Sequence, residues 1–519
     1  MSRKVFRDAV HDMIILHRND QGADCTPIDW GDALLLDLID TPELQRLRRI
    51  RQLGPAAKVY PSAEHSRFSH SLGTLHLAKR MMEQAMAGDG LTRLAPMDIL
   101  AIKVSALFHD VGHGPHSHAF EHVLPNLPDH ETWGWRILSE PGPPRNLIET
   151  HCHRLGLDAE AFLSALREIW EPSTHGDRLR GRPFISSQLD ADRMDYLLRD
   201  AHFTGVSYGH FDLEWLLHSI KVRSVDGRPR ICIDLAKGPA ALESYIFARD
   251  HMYRQVYDHK TVRAFETLLV HLFGLIDWIW TIEGRPPPET PPALSLFLAP
   301  ARQGESPTTA AFLALDDTVV DYAIGQWANL VPQTPAQGEL RLRCRMFCHR
   351  QSIYRRLRWN MPANLAGQEQ LAFGFTNAGD SSQREMALDL NRGERSLATD
   401  LIQDADLMAK VERFFRDHGE TPITTPQEDG STLAVPLRLL ARVDRIHRSP
   451  YAHLHYDPQG ADPIYVITQE GTVKPAEQVS PLVHFLGLNR RRLARVFVDP
   501  RVVGTVREMA QERLGPWLA

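Results

Sequence analysis

Apolar positions along this chain recur mostly with the 3.6-residue period of a helix, and only near the two ends with the alternation of a strand. Ile99 to Phe108 is an almost unbroken apolar run, entered at Pro96 and Asp98 and closed by Gly112. Such a run predicts a buried helix whose last turn carries the next residues, His109 and Asp110. Leu75, Ala78, Met82, Ala85 and Met86 share one helical face, with His70 at its start. Ala264 to Trp280 is the longest apolar stretch, but Glu266, His271 and Asp277 break it. It predicts a buried helix, not a membrane span. Asp192, Tyr196 and Asp200 lie at i, i+4 and i+8, so one helix face presents two acids and a phenol. Arg249, Tyr253, Tyr257 and Lys260 fall on one face of a second, long helix. By spacing alone that basic-aromatic stripe also fits a solvated or partner-facing surface.

Elsewhere the pattern changes. Met13 to Leu16 reads as a short strand amid helical segments, and residues 70 to 280 read as mostly helical. Gly284 to Pro292 is a Pro-rich, extended connector, followed by helix-like Phe312 to Leu330. Beyond about residue 331, Leu371 to Phe375, Ile464 to Thr468 and Val496 to Val498 read as strands among helices, and Thr421 to Ser431 as a loop. The expected fold is mainly α: an all-helical core over residues 1–330, with a metal site within 65–200 and a substrate helix at 243–280. A smaller α+β lobe, serving assembly or regulation, would occupy residues 331–519.

Composition narrows the function classes. At 519 residues, 43% hydrophobic and 24% charged, the chain has the make-up of a globular protein with room for a large core. A net charge of −6 offers no global basic field for nucleic acid. Five cysteines without paired metal-ligand spacing fit a reducing cytoplasm. The first residues, Met1 to Asp8, contain no apolar run of the kind a signal peptide needs.

Chemistry concentrates in His109-Asp110-Val111-Gly112-His113-Gly114-Pro115-His116-Ser117-His118. Adjacent His109 and Asp110 offer a nitrogen and a carboxylate to one side. With His70 upstream and Asp192 downstream, two imidazoles and two carboxylates could hold one transition-metal ion, leaving positions open for water and a phosphate oxygen. Mixed nitrogen and oxygen ligands do not distinguish Fe, Mn and Zn. His118 and Glu121, three apart, would share a face and hydrogen-bond if that turn is helical.

The His70, His109-Asp110, Asp192 set resembles the HD superfamily of metal-dependent phosphohydrolases. Asp40-Thr41-Pro42-Glu43-Leu44-Gln45-Arg46-Leu47, Gln52-Leu53-Gly54, His65-Ser66-Arg67-Phe68-Ser69-His70-Ser71-Leu72-Gly73 and Asp192 to Asp200 resemble its dNTP triphosphohydrolase branch. The resemblance spans roughly residues 4–275. It implies conversion of a dNTP to deoxynucleoside and tripolyphosphate, with Mg2+ or Mn2+ accompanying the triphosphate.

The resemblance also assigns residues. His118 matches the catalytic histidine, and Glu121 its carboxylate partner, where the mammalian members of the branch carry Asp. His113 and His130 match histidines at the α-phosphate. Arg67 and Arg249 match phosphate-binding arginines, and Arg193 stands where the mammalian members carry Lys. Gln52 and Asp200 match groups on the 3′-hydroxyl, and Leu53 and Tyr196 line the same substrate site. Tyr257 matches a tyrosine packed under the sugar that leaves no room for a 2′-hydroxyl. Lys4, Asp40, Gln45 and Arg48 match positions of an activating-nucleotide site; read from the residues alone, Asp40 could instead simply cap the helix that begins at Thr41-Pro42. His116 matches nothing and reads as a bystander. The branch implies a homo-oligomer, dimer or tetramer, with an activating nucleotide as a further partner; neither nucleic acid nor membrane is expected. Two rivals remain at this stage: an HD phosphohydrolase acting on another nucleotide or on nucleic-acid ends, and a nucleotide-binding switch with little turnover.

Overall fold

A computed structural model describes residues 3–19, 25–87, 94–124, 127–170, 181–225, 228–351, 354–362, 396–399, 401–448, 451, 463–488 and 491–518. The chain opens with a hairpin, β1 (Arg3–Asp8) and β2 (Asp12–His17), in antiparallel register Val5 to Ile15. Helices α1 (Asp32–Ile39), α2 (Pro42–Arg46), α3 (Arg67–Met86) and α4 (Pro96–Phe108) follow. After a 3-10 turn at Ser117–His122 come α5 (His130–Ser139), α6 (Pro143–Leu155), α7 (Ala159–Trp170), α8 (Arg182–Ile185), α9 (Ala191–Thr204) and α10 (Leu213–His218). A hairpin, β3 (Ile220–Val225) and β4 (Arg228–Asp234), then interrupts a stretch expected to be helical. Its alternating burial explains it: Ile220 and Val222 are buried while Lys221 and Arg223 are half-exposed.

Next come α11 (Pro239–Met252), α12 (Lys260–Glu283), α13 (Pro292–Arg302), α14 (Thr309–Leu313), α15 (Asp317–Ala328) and α16 (Pro335–His349). The C-terminal part comprises β5 (Arg355–Arg356), β6 (Trp359–Pro362), β7 (Ser396–Thr399), α17 (Ala405–Asp417), β8 (Pro422–Pro426), β9 (Thr432–Pro436), β10 (Ala441–Arg448), β11 (Tyr465–Ile467), β12 (Val473–Pro475), α18 (Pro481–Leu488), β13 (Arg491–Val498) and α19 (Val503–Leu514). The fold is mainly helical with a smaller strand-containing C-terminal region. Thr421 to Ser431 is a loop only in part: Pro422–Pro426 forms β8, which pairs with β9, Ile423 opposite Val435, because its alternating burial gives it one inward face. Leu371 to Phe375 lies outside the described residues.

The chain divides into two compact units that interleave, where a single boundary near residue 330 would place them in succession. One holds Met1–Val262, Thr290–Ala323 and Ser449–Asn489; the other holds Arg263–Glu289, Ile324–Arg448 and Arg490–Ala519. In the first unit α3 packs against α4 and α9. Buried Asp32 of α1 ties those helices together, accepting from Lys79 Nζ of α3 at 2.7 Å and Lys103 Nζ of α4 at 2.8 Å. Two lysines without such a partner would not survive burial as ions. Residues 465–467 return to this unit as a strand: β11 joins β4 in parallel, giving the sheet order β12-β11-β4-β3. The second unit has sheet β10-β13-β5 and its own buried ion network, in which Glu339 accepts from Arg343 Nε at 2.7 Å and Arg501 at 2.6 Å. Helix α12 is long and apolar enough to cross a membrane by composition, but 56% of its most apolar window is buried inside the protein, as in a core helix.

Candidate metal and phosphohydrolase site

Helix α4 ends at Phe108, so His109 caps it and Asp110 stands in the turn beyond, one step later than the apolar pattern predicts. His70 lies in the first turns of α3 and Asp192 in the first turn of α9. The packing of α3 on both α4 and α9 brings the three elements together. His70 Nε2 lies 3.1 Å from His109 Nε2 and 3.0 Å from Asp192 Oδ1, and His109 Nε2 lies 3.4 Å from Asp192 Oδ1. Asp110 stands slightly farther out, at 3.7 Å from His70 Nε2 and 3.5 Å from His109 Nε2.

Tautomers make this triad chemically specific. His109 Nδ1 donates to the Ala106 carbonyl at 2.9 Å, and His70 Nδ1 donates to Asp195 Oδ2 at 2.7 Å. With both Nδ1 atoms donating, the neutral rings aim their Nε2 lone pairs at each other and at a carboxylate. Lone pairs do not attract one another at such a distance; a cation between them removes the conflict. The separations equal the ~3.0–3.4 Å edges of a coordination shell with bonds of about 2.1 Å. These residues therefore fit a divalent metal. In its absence the surrounding carboxylates favour a proton instead. Burial opposes charge on His70, but Asp192 and Asp195 outweigh it and raise its pKa to about 10.

Asp195 is a residue that sequence patterning missed. It lies behind His70, fully buried, and accepts from His11 Nε2 at 2.6 Å and Arg199 Nε at 2.8 Å. Arg199 in turn donates to Asp8 at 2.9 Å. The β1-β2 hairpin thus reaches a candidate ligand, His70, through Asp195. Room for Asp195 comes from Gly73, where a Cβ would stand 1.8 Å from Asp195 Oδ1. The triplet spacing of Asp192 and Asp195 carried no hint of this, because the partners lie in distant segments.

A second cluster adjoins the first through Asp110. His113 Nε2 lies 3.3 Å from Asp110 Oδ1, and its ring stacks on His130 with centroids 4.1 Å apart. Glu121 Oε1 accepts from His118 Nδ1 at 3.2 Å and from His130 Nδ1 at 2.8 Å. The turn carrying His118 and Glu121 is a 3-10 helix, which still places i and i+3 together. Burial opposes ionisation of Glu121, yet His118 and His130 hold it well below the usual carboxylate range. His130 is raised in return: Glu121 overcomes its burial. His113 is lowered well below its ordinary value, first by burial and then by the Arg67 guanidinium, so it is neutral. The His118 side chain is 64% exposed, the only member of this cluster freely reached from outside.

The remaining candidates form a chain of contacts leading away from Asp110. Arg67 donates to Asp110 Oδ2 through Nη1, to Ser117 Oγ at 3.0 Å and to the Gln52 carbonyl at 3.3 Å. Gln52 N donates to the His65 carbonyl at 2.9 Å. His65 Nε2 donates to Asp200 Oδ1 at 2.8 Å, and Tyr257 OH donates to Asp200 Oδ2 at 2.7 Å. Tyr196 meets Tyr257 edge-on at 6.0 Å between centroids. Leu53, half-buried, precedes the 3-10 turn Gly54–Lys58 that contains Pro55-Ala56-Ala57. His65 was not singled out by the sequence, although it begins the motif that contains His70. Four buried polar atoms around these groups have no hydrogen-bond partner: Gln52 Oε1, His65 Nδ1, His113 Nδ1 and Arg249 Nε.

Three expectations need correction. Arg249, Tyr253, Tyr257 and Lys260 do not lie on one continuous helix: α11 ends at Met252, Tyr253–Tyr257 forms a π-helical turn, and α12 begins at Lys260. A π turn inserts an extra residue, so it re-aims Tyr257 toward Asp200. Asp40 does not cap the following helix. Thr41 does, accepting from Leu44 N, while Asp40 ends α1 and lies 3.8 Å from Lys4 Nζ on the surface. His116, expected to be a bystander, is buried and hydrogen-bonded to Asp317 and Asp321. Of the remaining expected residues, Arg193 is held by Asp190 Oδ2 at 2.5 Å. Gln45 donates to the Ile39 carbonyl at 2.7 Å and accepts from Arg48 Nε at 2.7 Å.

Comparison with known proteins follows the same residues. The HD domain family model matches residues 67–200, from Arg67 to Asp200. The uncharacterised protein YwfO of Bacillus subtilis is 33% identical over 378 residues, covering 72% of this chain and 77% of YwfO. The deoxynucleoside triphosphate triphosphohydrolase SAMHD1 of Homo sapiens is 30% identical over 292 residues, covering 52% of this chain and 44% of SAMHD1; the chain thus spans less than half of that relative. The crystal structure of a phosphohydrolase from Bacteroides thetaiotaomicron superposes with a TM-score of 0.64 at 22% identity, covering 96% of this chain and 99% of that one. That likeness shows a common fold. The HD domain match, together with the extent of the match to YwfO, means that this chain belongs to the HD-domain phosphohydrolase family.

Proposed function

We propose that this protein hydrolyses deoxynucleoside triphosphates to deoxynucleoside and tripolyphosphate. One observation carries the reading: an unbroken run of contacts joins the candidate metal triad, through Asp110, Arg67, Gln52 and His65, to the Asp200–Tyr257 pair. One end suits a phosphate. The other pairs a buried carboxylate with a phenol and an unpartnered amide oxygen, which suits a sugar hydroxyl. The likeness to SAMHD1 supports the same substrate class.

His70, His109, Asp110 and Asp192 would hold one divalent cation, which would supply charge neutralisation at the α-phosphate and activation of water. Arg67, Arg193 and Arg249 carry fixed positive charge for the phosphate oxygens, joined by Mg2+ or Mn2+ on the triphosphate tail. Neutral His113 offers a hydrogen bond there without repelling either cation. Water adds to the α-phosphorus and the bond to the 5′-oxygen breaks. His118, its Nδ1 held by Glu121, supplies a proton from Nε2 to that leaving oxygen. Gln52 and Asp200 bind the 3′-hydroxyl. Tyr257, its hydroxyl already engaged by Asp200, packs where a 2′-hydroxyl would lie, alongside Tyr196 and Leu53. All five cysteines are free thiols, which supports a cytoplasmic site of action. Lys4, Asp40, Gln45 and Arg48 would serve an activating nucleotide between subunits of a dimer or tetramer.

Product identification by mass spectrometry tests this. Purified protein with Mn2+ or Mg2+ is given the four dNTPs and the four rNTPs, singly and mixed. Deoxynucleoside plus tripolyphosphate, with rNTPs intact, is the expected result, and activity only in mixtures would add the activating site. Monophosphate plus pyrophosphate would move the cleaved bond and remove the role given to His118.

A further inference from the structure

The catalytic loop carries two consecutive non-glycine residues in the left-handed region, His116 at φ 53° and Ser117 at φ 60°. Single left-handed residues are tolerated, mostly as glycine or asparagine; two in succession need outside support. The support comes from α15, well outside the residues matched by the HD family model. Asp317, the first residue of α15, accepts from His116 N at 2.7 Å through Oδ1 and from Arg51 N at 3.0 Å through Oδ2. One turn later Asp321 accepts from His116 Nε2 at 3.0 Å and from Arg51 Nη1 at 3.0 Å. The kinked loop is further held from within. Ser117 Oγ donates to the Arg51 carbonyl at 2.7 Å and accepts from Arg67 Nε. Gly54 packs so closely on the kink that a Cβ there would stand 2.7 Å from His116 O. Asp317 and His116 are both buried. Burial opposes charge on Asp321, but His116 and Arg51 lower its pKa to about 2, so the acceptor is ionised at neutral pH. The helix start is anchored to the same strip of chain: Arg46 Nε donates to the Leu315 carbonyl at 2.7 Å and Arg49 to Asp316 at 2.5 Å.

We propose that Asp317 and Asp321 are positioning residues: they clamp the His116–Ser117 kink and thereby set His118 and Arg67, the two groups joined to it by sequence and by hydrogen bond. The clamp need touch neither substrate nor metal. Its catalytic consequence rests on the function proposed above, while its structural consequence does not.

Two measurements on Asp317→Asn and Asp321→Asn separate these. The first is hydrogen exchange at the residue 116–118 amides. Asparagine at 317 keeps one acceptor oxygen and cannot accept at both positions, so exchange there should rise at least about tenfold, with α3 and α4 unchanged. Exchange equal to wild type overturns the clamp, and does so even if the wild type turns over no nucleotide. The second is dNTP hydrolysis with metal content. In the variants kcat should fall about 10- to 100-fold, as small misplacements of catalytic groups do, with KM within about twofold and bound metal unchanged. Glycine reaches the left-handed region without strain, so His116→Gly added to Asp317→Asn should recover most of the lost kcat. A variant with a freed loop but wild-type kcat overturns the positioning role, as does a double variant no better than Asp317→Asn.

Discussion

Two histidine clusters stand on either side of Asp110, built from the same residue types, yet their geometries point to different chemistry. In the first, His70 and His109 spend Nδ1 on fixed acceptors, Asp195 and the Ala106 carbonyl, and turn Nε2 inward to within 3.1 Å of each other. In the second, His118 and His130 both turn Nδ1 onto one acceptor, Glu121 Oε1. Convergent lone pairs ask for a cation; convergent N–H groups on a carboxylate stabilise imidazolium and so suit proton transfer. The role of each histidine is decided by what its other nitrogen does, not by its presence in a His-rich loop.

The largest effect expected from this contrast comes from exchanging the clusters' losses. His109→Ala or Asp192→Asn should remove tightly bound metal and all turnover together. Glu121→Gln should keep the metal, measured by plasma emission spectrometry, and lower turnover about 10²- to 10⁴-fold, the range for general acid-base groups. Loss of metal in Glu121→Gln would show that the two clusters form one site.

A smaller effect probes the support behind the triad. Asp195→Asn should weaken metal affinity about 10- to 100-fold, the usual consequence of removing a hydrogen-bond partner from a ligating histidine. Gly73→Ala should act in the same direction, because its Cβ would collide with Asp195 Oδ1. Unchanged affinity in both variants would make Asp195 a packing residue only.

The smallest effect is set by pH. Without metal, His70 keeps its proton to about pH 10, since Asp192 and Asp195 outweigh burial. Below that value metal binding must displace a proton, so apparent affinity falls as pH falls, about tenfold per pH unit for each proton displaced. In the second cluster the carboxylate itself is no source of such a trend, because Glu121 stays ionised far below pH 7. Calorimetry in buffers of different ionisation heat reads the proton count directly; a count of zero between pH 6 and 8 would remove the predicted dependence.

Much of the metal-compatible site was legible because its parts are local. His109 and Asp110 are neighbours closing an apolar helix, and Asp192, Tyr196 and Asp200 repeat with the helical period. Asp195 was not legible: its partners are 125 and 184 residues away, and its space depends on the missing side chain of Gly73. Tyr257 was placed on the right segment but the wrong backbone, since a π turn leaves no mark in apolar periodicity.

The sequence by itself determined the helical class, the candidate ligands and the resemblance to the HD family, because periodicity and short motifs are properties of adjacent residues. Tertiary structure alone decided which ring nitrogen each histidine presents, how residues 465–467 return to pair with β4, and how α15 holds the His116 kink. Those depend on hydrogen bonds and strand pairings between segments tens to hundreds of residues apart. Their partners are chosen by packing and by the need to satisfy buried polar groups, which no local pattern records.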